Sequence, residues 1–389
     1  MCPRNSDVWT WLKGVNLNHK GWACYSMTRL HTDLCDMLDI RVPILQGGMG
    51  PYKTEDLAIA VTNAGALGVI SSIGMAATLL PEAAPVDAKR LFGDDPPMVL
   101  LQKSIEAVAK GTKSSKGVFG VNVPVAAEFL AASKMFVEQV IETRNADSDI
   151  ERRLRVLITS AGNPAPWAEV KNHGLIWIHV VPSVYHAKKA ERVGADVIVA
   201  SGHEGGAHVS WDPVHSMVLV PAVAQAVKTP VVAAGGFSDG ASLAAALCLG
   251  AVGVQMGTRF IATQESDFES IWKDAIINHE ERQTLVARGL FGPMRFLRNH
   301  RAEMLVKQTL DDVPRFYLGE PVDSNKAILK LEQSGFVDLL DHKSDTALMF
   351  GGEVTGRISD LPTTAELIDT IVEDAIKVLE QLPGKVLKY

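Results

Sequence analysis

Four glycine-rich stretches hold most of the residues in this chain that could do chemistry. Gln46-Gly47-Gly48-Met49-Gly50-Pro51 places three glycines in four residues, so backbone can approach a flat ligand where a Cβ would collide. A plain tight turn accounts for the same string. Ala234-Gly235-Gly236-Phe237-Ser238-Asp239-Gly240 and Gln255-Met256-Gly257-Thr258-Arg259 each lead from an apolar run into a helical pattern. Main-chain N–H groups at such helix starts, backed by the helix dipole, hold a phosphate without basic side chains. Thr258 can add a hydroxyl and Arg259 a charge. Ser201-Gly202-His203-Glu204-Gly205-Gly206-Ala207-His208 carries two histidines and a glutamate. Its Hx4H spacing lies on a loop rather than a helix face, with no third ligand cluster, so no metal site is expected. His208 facing a bound cofactor is the better use, and His203 reads as ordinary loop polarity. His186, in Pro182-Ser183-Val184-Tyr185-His186, opens a helix whose dipole favours the neutral, proton-accepting form; a capping or surface histidine fits equally. His173 and His179 lie before or within an apolar run, on the side away from these loops.

The loops need elements to hold them. Apolar runs occur at 42–46, 67–71, 117–121, 155–159, 175–180, 196–200, 230–233 and 252–255, with Ala-rich helical patterns between them. Continuous apolar strands alternating with helices predict a parallel sheet buried on both faces, and eight of them close a (β/α)8 TIM barrel. Helix patterns at 54–64, 185–193 and 241–249 run into Gly65, Gly194 and Gly250, where a left-handed cap is needed before the next strand. The reacting groups of such a barrel come from the loops after its strands, which is where the four glycine stretches fall. Residues 265–350 read as charge-rich helices, a helical cap subdomain inserted after the eighth strand. The chain then returns to the barrel within 351–389 and ends on an amphipathic helix over 364–382. The barrel proper takes 27–264, and 1–26 reads as an extension, unstructured or ahead of a natural start at Met27.

The composition sets the outer bounds. The 389 residues hold 45 acidic against 38 basic side chains, a formal charge of −7, so no nucleic-acid partner is expected. No apolar run reaches the roughly 18 residues of a membrane span. Cys2, Cys24, Cys35 and Cys248 lack CxxC spacing and read as reduced structural thiols, with Cys248 buried in a helix and the cytoplasm as the expected compartment. A small-molecule substrate and a homo-oligomer are compatible with all of this.

PILQGGMG, GVNVPV, ADVIVASGHEGGAH and AAGGFSDGASLAAALCLGAVGVQMGTRF resemble the FMN-dependent nitronate monooxygenases, once called 2-nitropropane dioxygenases. They also resemble the related FMN-dependent enoyl-ACP reductases. The likeness runs from about Thr28 to Ser266 and returns near GGEVTGRI, where Glu353 stands in place of the usual glutamine. It implies FMN at the C-terminal face of the barrel, with Gln46, Gly47, Gly48, Met49, Asn122, Ser201, Gly205 and Gly206 around the flavin. Gly235, Gly236, Gln255, Met256, Gly257 and Thr258 would hold its phosphate. His186 and His208 match family histidines near the flavin and are the candidate acid–base residues. The stretch Thr159-Ser160-Ala161-Gly162-Asn163-Pro164 lacks the histidine of one monooxygenase branch and is like the reductase form. The resemblance therefore implies oxidation of alkyl nitronates by oxygen, with reduction of an enoyl thioester or quinone by NAD(P)H as the alternative.

Overall fold

In the computed structural model, which describes residues 15–17, 23–25, 29–77, 79, 88–127, 130–289, 292–316 and 326–387, each expected apolar run is a strand. These are β1 (Ile44–Gln46), β2 (Gly68–Ser71), β3 (Phe119–Pro124), β4 (Leu154–Ser160), β5 (Ile176–Val181), β6 (Val197–Ser201), β7 (Val231–Ala234) and β8 (Gly253–Met256). They pair in parallel in the order β1-β8-β7-β6-β5-β4-β3-β2. A bridge between Leu45 and Leu67 brings the two ends together, with Leu67 N donating to the Ile44 carbonyl and Gln46 N to that of Leu67. The molecule is a (β/α)8 barrel.

Side chains alternate across each strand, so every barrel strand serves two cores. Leu45, Val69, Val156, Ile158, Ile178, Val199 and Val232 fill the interior. Ile44, Ile70, Phe119, Val121, Leu157, Trp177 and Ala233 face outward into the layer shared with the helices. The expected glycine joints are present: Gly65, Gly194 and Gly250 all lie at φ between +82° and +93°.

The insertion differs from the expected helical cap. Helices Ser270–Asn278, His300–Phe316 and Lys326–Leu340 are there, but between them lie two antiparallel strands, β9 (Thr284–Gly289) and β10 (Gly292–Leu297). Arg288 and Arg295 made this stretch read as a charged helix surface, yet both are buried in the strands. β10 also pairs with the two-residue strand Ala207–His208, setting Met294 opposite His208 and Arg295 opposite Ala207. The insertion shares a core with the barrel mouth, where Tyr52 packs on Phe268 (ring centroids 4.8 Å apart) and Phe268 on Trp272 (5.0 Å).

The last helix spans Thr364–Val386, a little longer than expected, and opens on a capping box between Thr363 and Glu366. Val15–Leu17 and Ala23–Tyr25 pair antiparallel. The remainder of the 1–26 reading lies outside the described residues. Cys35 is buried, as expected of a structural thiol, whereas Cys248 is exposed on the outward face of its helix.

Candidate active site

The barrel interior changes character at its C-terminal end. Continuing the alternation one step beyond Val69, Gly120, Ile158, Val199 and Gly253 reaches Ser71, Asn122, Ser160, Ser201 and Gln255. An apolar core thus ends in a polar floor. Asn122 is buried and its Nδ2 donates to the Ile158 carbonyl (3.4 Å) and to Ser160 Oγ (3.3 Å). Its Oδ1, and Oε1 of Gln255, are buried with no hydrogen-bond partner among the described residues. Unanswered buried carbonyls are costly and point to a donor supplied by a ligand.

The glycines around this floor fall into two groups. A Cβ on Gly48 would stand 2.2 Å from Asn122 Oδ1, on Gly206 2.8 Å from Gly351 C, and on Gly235 2.5 Å from the Gly202 carbonyl oxygen. Close protein packing explains those three. Gly47, Gly205 and Gly257 meet nothing nearer than 3.4 Å, and none has the left-handed backbone that would itself require glycine. At these positions a Cβ would make ordinary contacts, on Gly257 with Met49 Sδ, so neither protein packing nor backbone conformation demands glycine there. Gly257 begins the short helix Thr258–Ile261 with no side-chain cap, and since Phe260 N bonds back to the Gly257 carbonyl, only the amides ahead of it could meet an anion. Gly235 and Gly236, at φ +83° and +88°, turn the preceding loop.

Several expected site residues have other work to do. The Gln46 side chain donates from Nε2 to the Val69 carbonyl (2.9 Å) and accepts from Val69 N (3.0 Å), sealing the β1–β2 seam. Met49 lies over Gly257. Thr258 Oγ1 accepts from Gly352 N at 3.0 Å and keeps its own proton to donate. Arg259 does not offer its charge to the mouth: the buried guanidinium is bound to Asp360 and to the Ala262 carbonyl. Glu204 caps the next helix, its carboxylate accepting from Ser216 N and Oγ.

The histidines lie on the loops after β5 and β6. His186 is half-buried in the first turn of the helix Val184–Arg192, with Nδ1 2.8 Å from Ser183 Oγ. That hydroxyl also accepts from His186 N, so Ser183 both caps the helix and anchors the imidazole at Nδ1. Burial, then the charge of Lys189, holds the His186 pKa below its ordinary value and keeps it neutral. His208 is exposed on the strand paired to β10. His203 sits edge-on to His215 (5.5 Å), its pKa lowered by burial and by Arg295.

As the sequence leads one to expect, His179 faces outward from β5, away from the barrel interior. It nevertheless lies beneath the loop after β4. Trp177 Nε1 donates to Thr159 Oγ1 (2.8 Å), Thr159 Oγ1 is 2.7 Å from His179 Nδ1, and the ring also bonds the Gly162 backbone. Burial drives the His179 pKa down to about 4. Sequence reasoning missed Ser71, Ser160 and Arg295; extending the two-residue period of β2 and β4 by one step would have found the serines.

The residues present fit a flavin mononucleotide: orphaned carbonyls for a ring N–H, glycines that neither packing nor backbone conformation demands, and an uncapped helix start for the phosphate. Among the described residues no cluster of three His, Cys, Asp or Glu could hold a metal ion, and no helix is long and apolar enough to cross a membrane.

The nitronate monooxygenase family profile matches residues 31–374. The chain is 31% identical to (3aS,4S,5R,7aS)-5-hydroxy-7a-methyl-1-oxo-octahydro-1H-indene-4-carboxyl-CoA dehydrogenase of Rhodococcus jostii, over 92% of this chain and 99% of that protein. It is 28% identical to a probable nitronate monooxygenase of Staphylococcus aureus, over 75% and 85% of the two chains. The structure of FabK from Thermotoga maritima superposes with a TM-score of 0.74 at 29% identity, covering 92% of this chain and all of that one. The insertion, the barrel and the closing segment all fall within the profile match, and the chain belongs to the nitronate monooxygenase family of oxidoreductases.

Proposed function

We propose that this chain is an FMN-dependent oxidoreductase of acyl thioesters, using NAD(P)H or its oxidised form as the second redox partner. The observation that carries this reading is the extent of similarity. A carboxyl-CoA dehydrogenase and FabK match 92% of the chain each, whereas the probable nitronate monooxygenase matches 75%. The loop after β4, Ser160-Ala161-Gly162-Asn163-Pro164, agrees with it, since it lacks the histidine of one monooxygenase branch and is like the reductase form.

When bound, FMN supplies two-electron chemistry, accepting and delivering hydride. The chain's part is to hold and orient. Asn122 Oδ1 and Gln255 Oε1 would accept from the ring edge, and the amides after Gly257 would hold the phosphate. His186, neutral with Nδ1 engaged by Ser183, would offer Nε2–H to a substrate oxygen and so polarise a thioester carbonyl. His208, on the neighbouring loop and accessible to solvent, can pass a proton at the mouth.

The family profile and the Staphylococcus aureus relative favour a second reading, oxidation of a nitronate by oxygen. Anaerobic mixing of the holoenzyme with NADH, NADPH or a nitronate separates the two. Bleaching by a nicotinamide, with reoxidation by an enoyl-CoA, is the expected result. Bleaching by the nitronate alone would replace this reading with the second.

A further inference from the structure

The segment 351–360 crosses the loops that follow β6, β7 and β8 as the chain returns from its insertion. Gly352 N donates to Thr258 Oγ1 (3.0 Å) and Glu353 N to the Glu204 carbonyl (2.9 Å). The fit is backbone on backbone, since a Cβ on Gly352 would stand 2.7 Å from the Glu204 carbonyl oxygen. Three arginine–carboxylate pairs then fasten the segment, each to a different element. Glu353 meets Arg295 of β10 at 3.0 Å, Arg357 meets Asp239 after β7, and Asp360 meets Arg259 after β8 at 2.6 Å.

Of the three pairs, only that of Arg295 joins the segment to the insertion, and Arg295 is buried. Its guanidinium, 5% exposed, donates from Nε and Nη2 to the His203 carbonyl (3.3 and 2.9 Å) and from Nη1 to Thr284 Oγ1 (3.0 Å). Nη2 also faces Glu353. A buried guanidinium needs its forked donors answered, and here the answers come from the β6 loop, from β9 and from the closing segment at once.

We propose that Arg295 is a positioning residue for cofactor retention: through Glu353 and the His203 carbonyl it seats segment 351–360 on the phosphate-side loops. The insertion thereby governs how tightly the flavin phosphate is held. This inference rests on the FMN assignment above. It predicts that weakening the junction is felt by FMN and spared by riboflavin, which has the same ring and no phosphate.

The test is a fluorescence titration of the flavin-stripped full chain with FMN and with riboflavin. Arg295→Gln is expected to raise the Kd for FMN about tenfold, as loss of a charge-assisted contact does, and to leave that for riboflavin within about twofold. Arg295→Lys should recover part of the loss. Glu353→Gln keeps the bonds to His203 and Thr284, folds if Arg295→Gln does not, and should show the same selectivity at a smaller scale. Amide exchange over 203–209 and 255–259 should quicken in both variants. Variants that bind FMN as the wild type does, or that lose FMN and riboflavin equally, overturn this inference alone. A wild-type chain that binds neither flavin overturns the FMN assignment and this inference with it.

Discussion

The two sides of the barrel mouth are built from different materials. On the side of β7, β8 and β1, the working surface is main chain: Gly47, Gly257 and the uncapped turn at Thr258, steadied from a distance by ion pairs. On the side of β4, β5 and β6 it is side chain, with His186 fixed by Ser183, His208 by its pairing to β10, and His179 below the β4 loop. Main chain recognises groups common to many enzymes, a phosphate or a ring face, and tolerates change around it. Side chains fixed in place recognise one reaction. On the function proposed here, the first side would fix which cofactor is used and the second what is done with it.

Substitutions can break or sharpen that division. Gly257→Val crowds Met49 at the start of the helix after β8 and should abolish saturable FMN binding in a fluorescence titration, with the fold retained by circular dichroism. If Gly257→Val binds FMN normally, the main-chain side has been misassigned. On the other side, His179 titrates near 4 in the folded chain against an ordinary 6.5. Between those values the unfolded chain takes up a proton that the folded chain refuses. Stability is therefore complete above about pH 6.5 and falls as the pH drops toward 4, by about 3 kcal/mol in all. Urea unfolding across that range should show the slope in the wild type and its loss in His179→Gln.

A smaller effect is expected at the histidines of the mouth. His186→Ala and His208→Ala should keep FMN bound and lower turnover by about 100-fold, the usual scale for removing an acid–base group. Normal steady-state rates in both would move the chemistry elsewhere. The smallest is Ser183→Ala, which removes a helix cap worth about 1 kcal/mol and leaves His186 Nδ1 without its hydroxyl. Its signature is a changed pH profile of turnover beside a minor fall in melting temperature.

The barrel was legible because its signals are local. Val and Ile runs and glycine joints such as Gly194 and Gly250 each specify their own few residues, and eight such units leave little choice of architecture. The main-chain side was legible for the same reason, since glycine announces itself in a sequence. The insertion was not. Arg288 and Arg295 are charged residues with buried side chains, and only the partners brought by long-range pairing, such as His203 and Glu353, make that burial tolerable. Arg259 misled in the same way: its partner, Asp360, lies a hundred residues on, and nothing near Arg259 predicts it.

Gln46 gives the barrel an unusual point of weakness. Elsewhere the ring is joined by several rungs of peptide, which no substitution can delete without proline. Between β1 and β2 a single bridge is supplemented by an amide side chain that imitates a peptide group, giving and receiving one bond each with Val69. The circle is thus closed by a residue's identity and not by geometry alone. Gln46→Glu is nearly the same shape but loses the donor and sets a charge against a carbonyl. A change of one nitrogen for oxygen could therefore turn a continuous ring into a sheet with two loose edges, beginning at the strand that leads into Gly47 and the ligand surface.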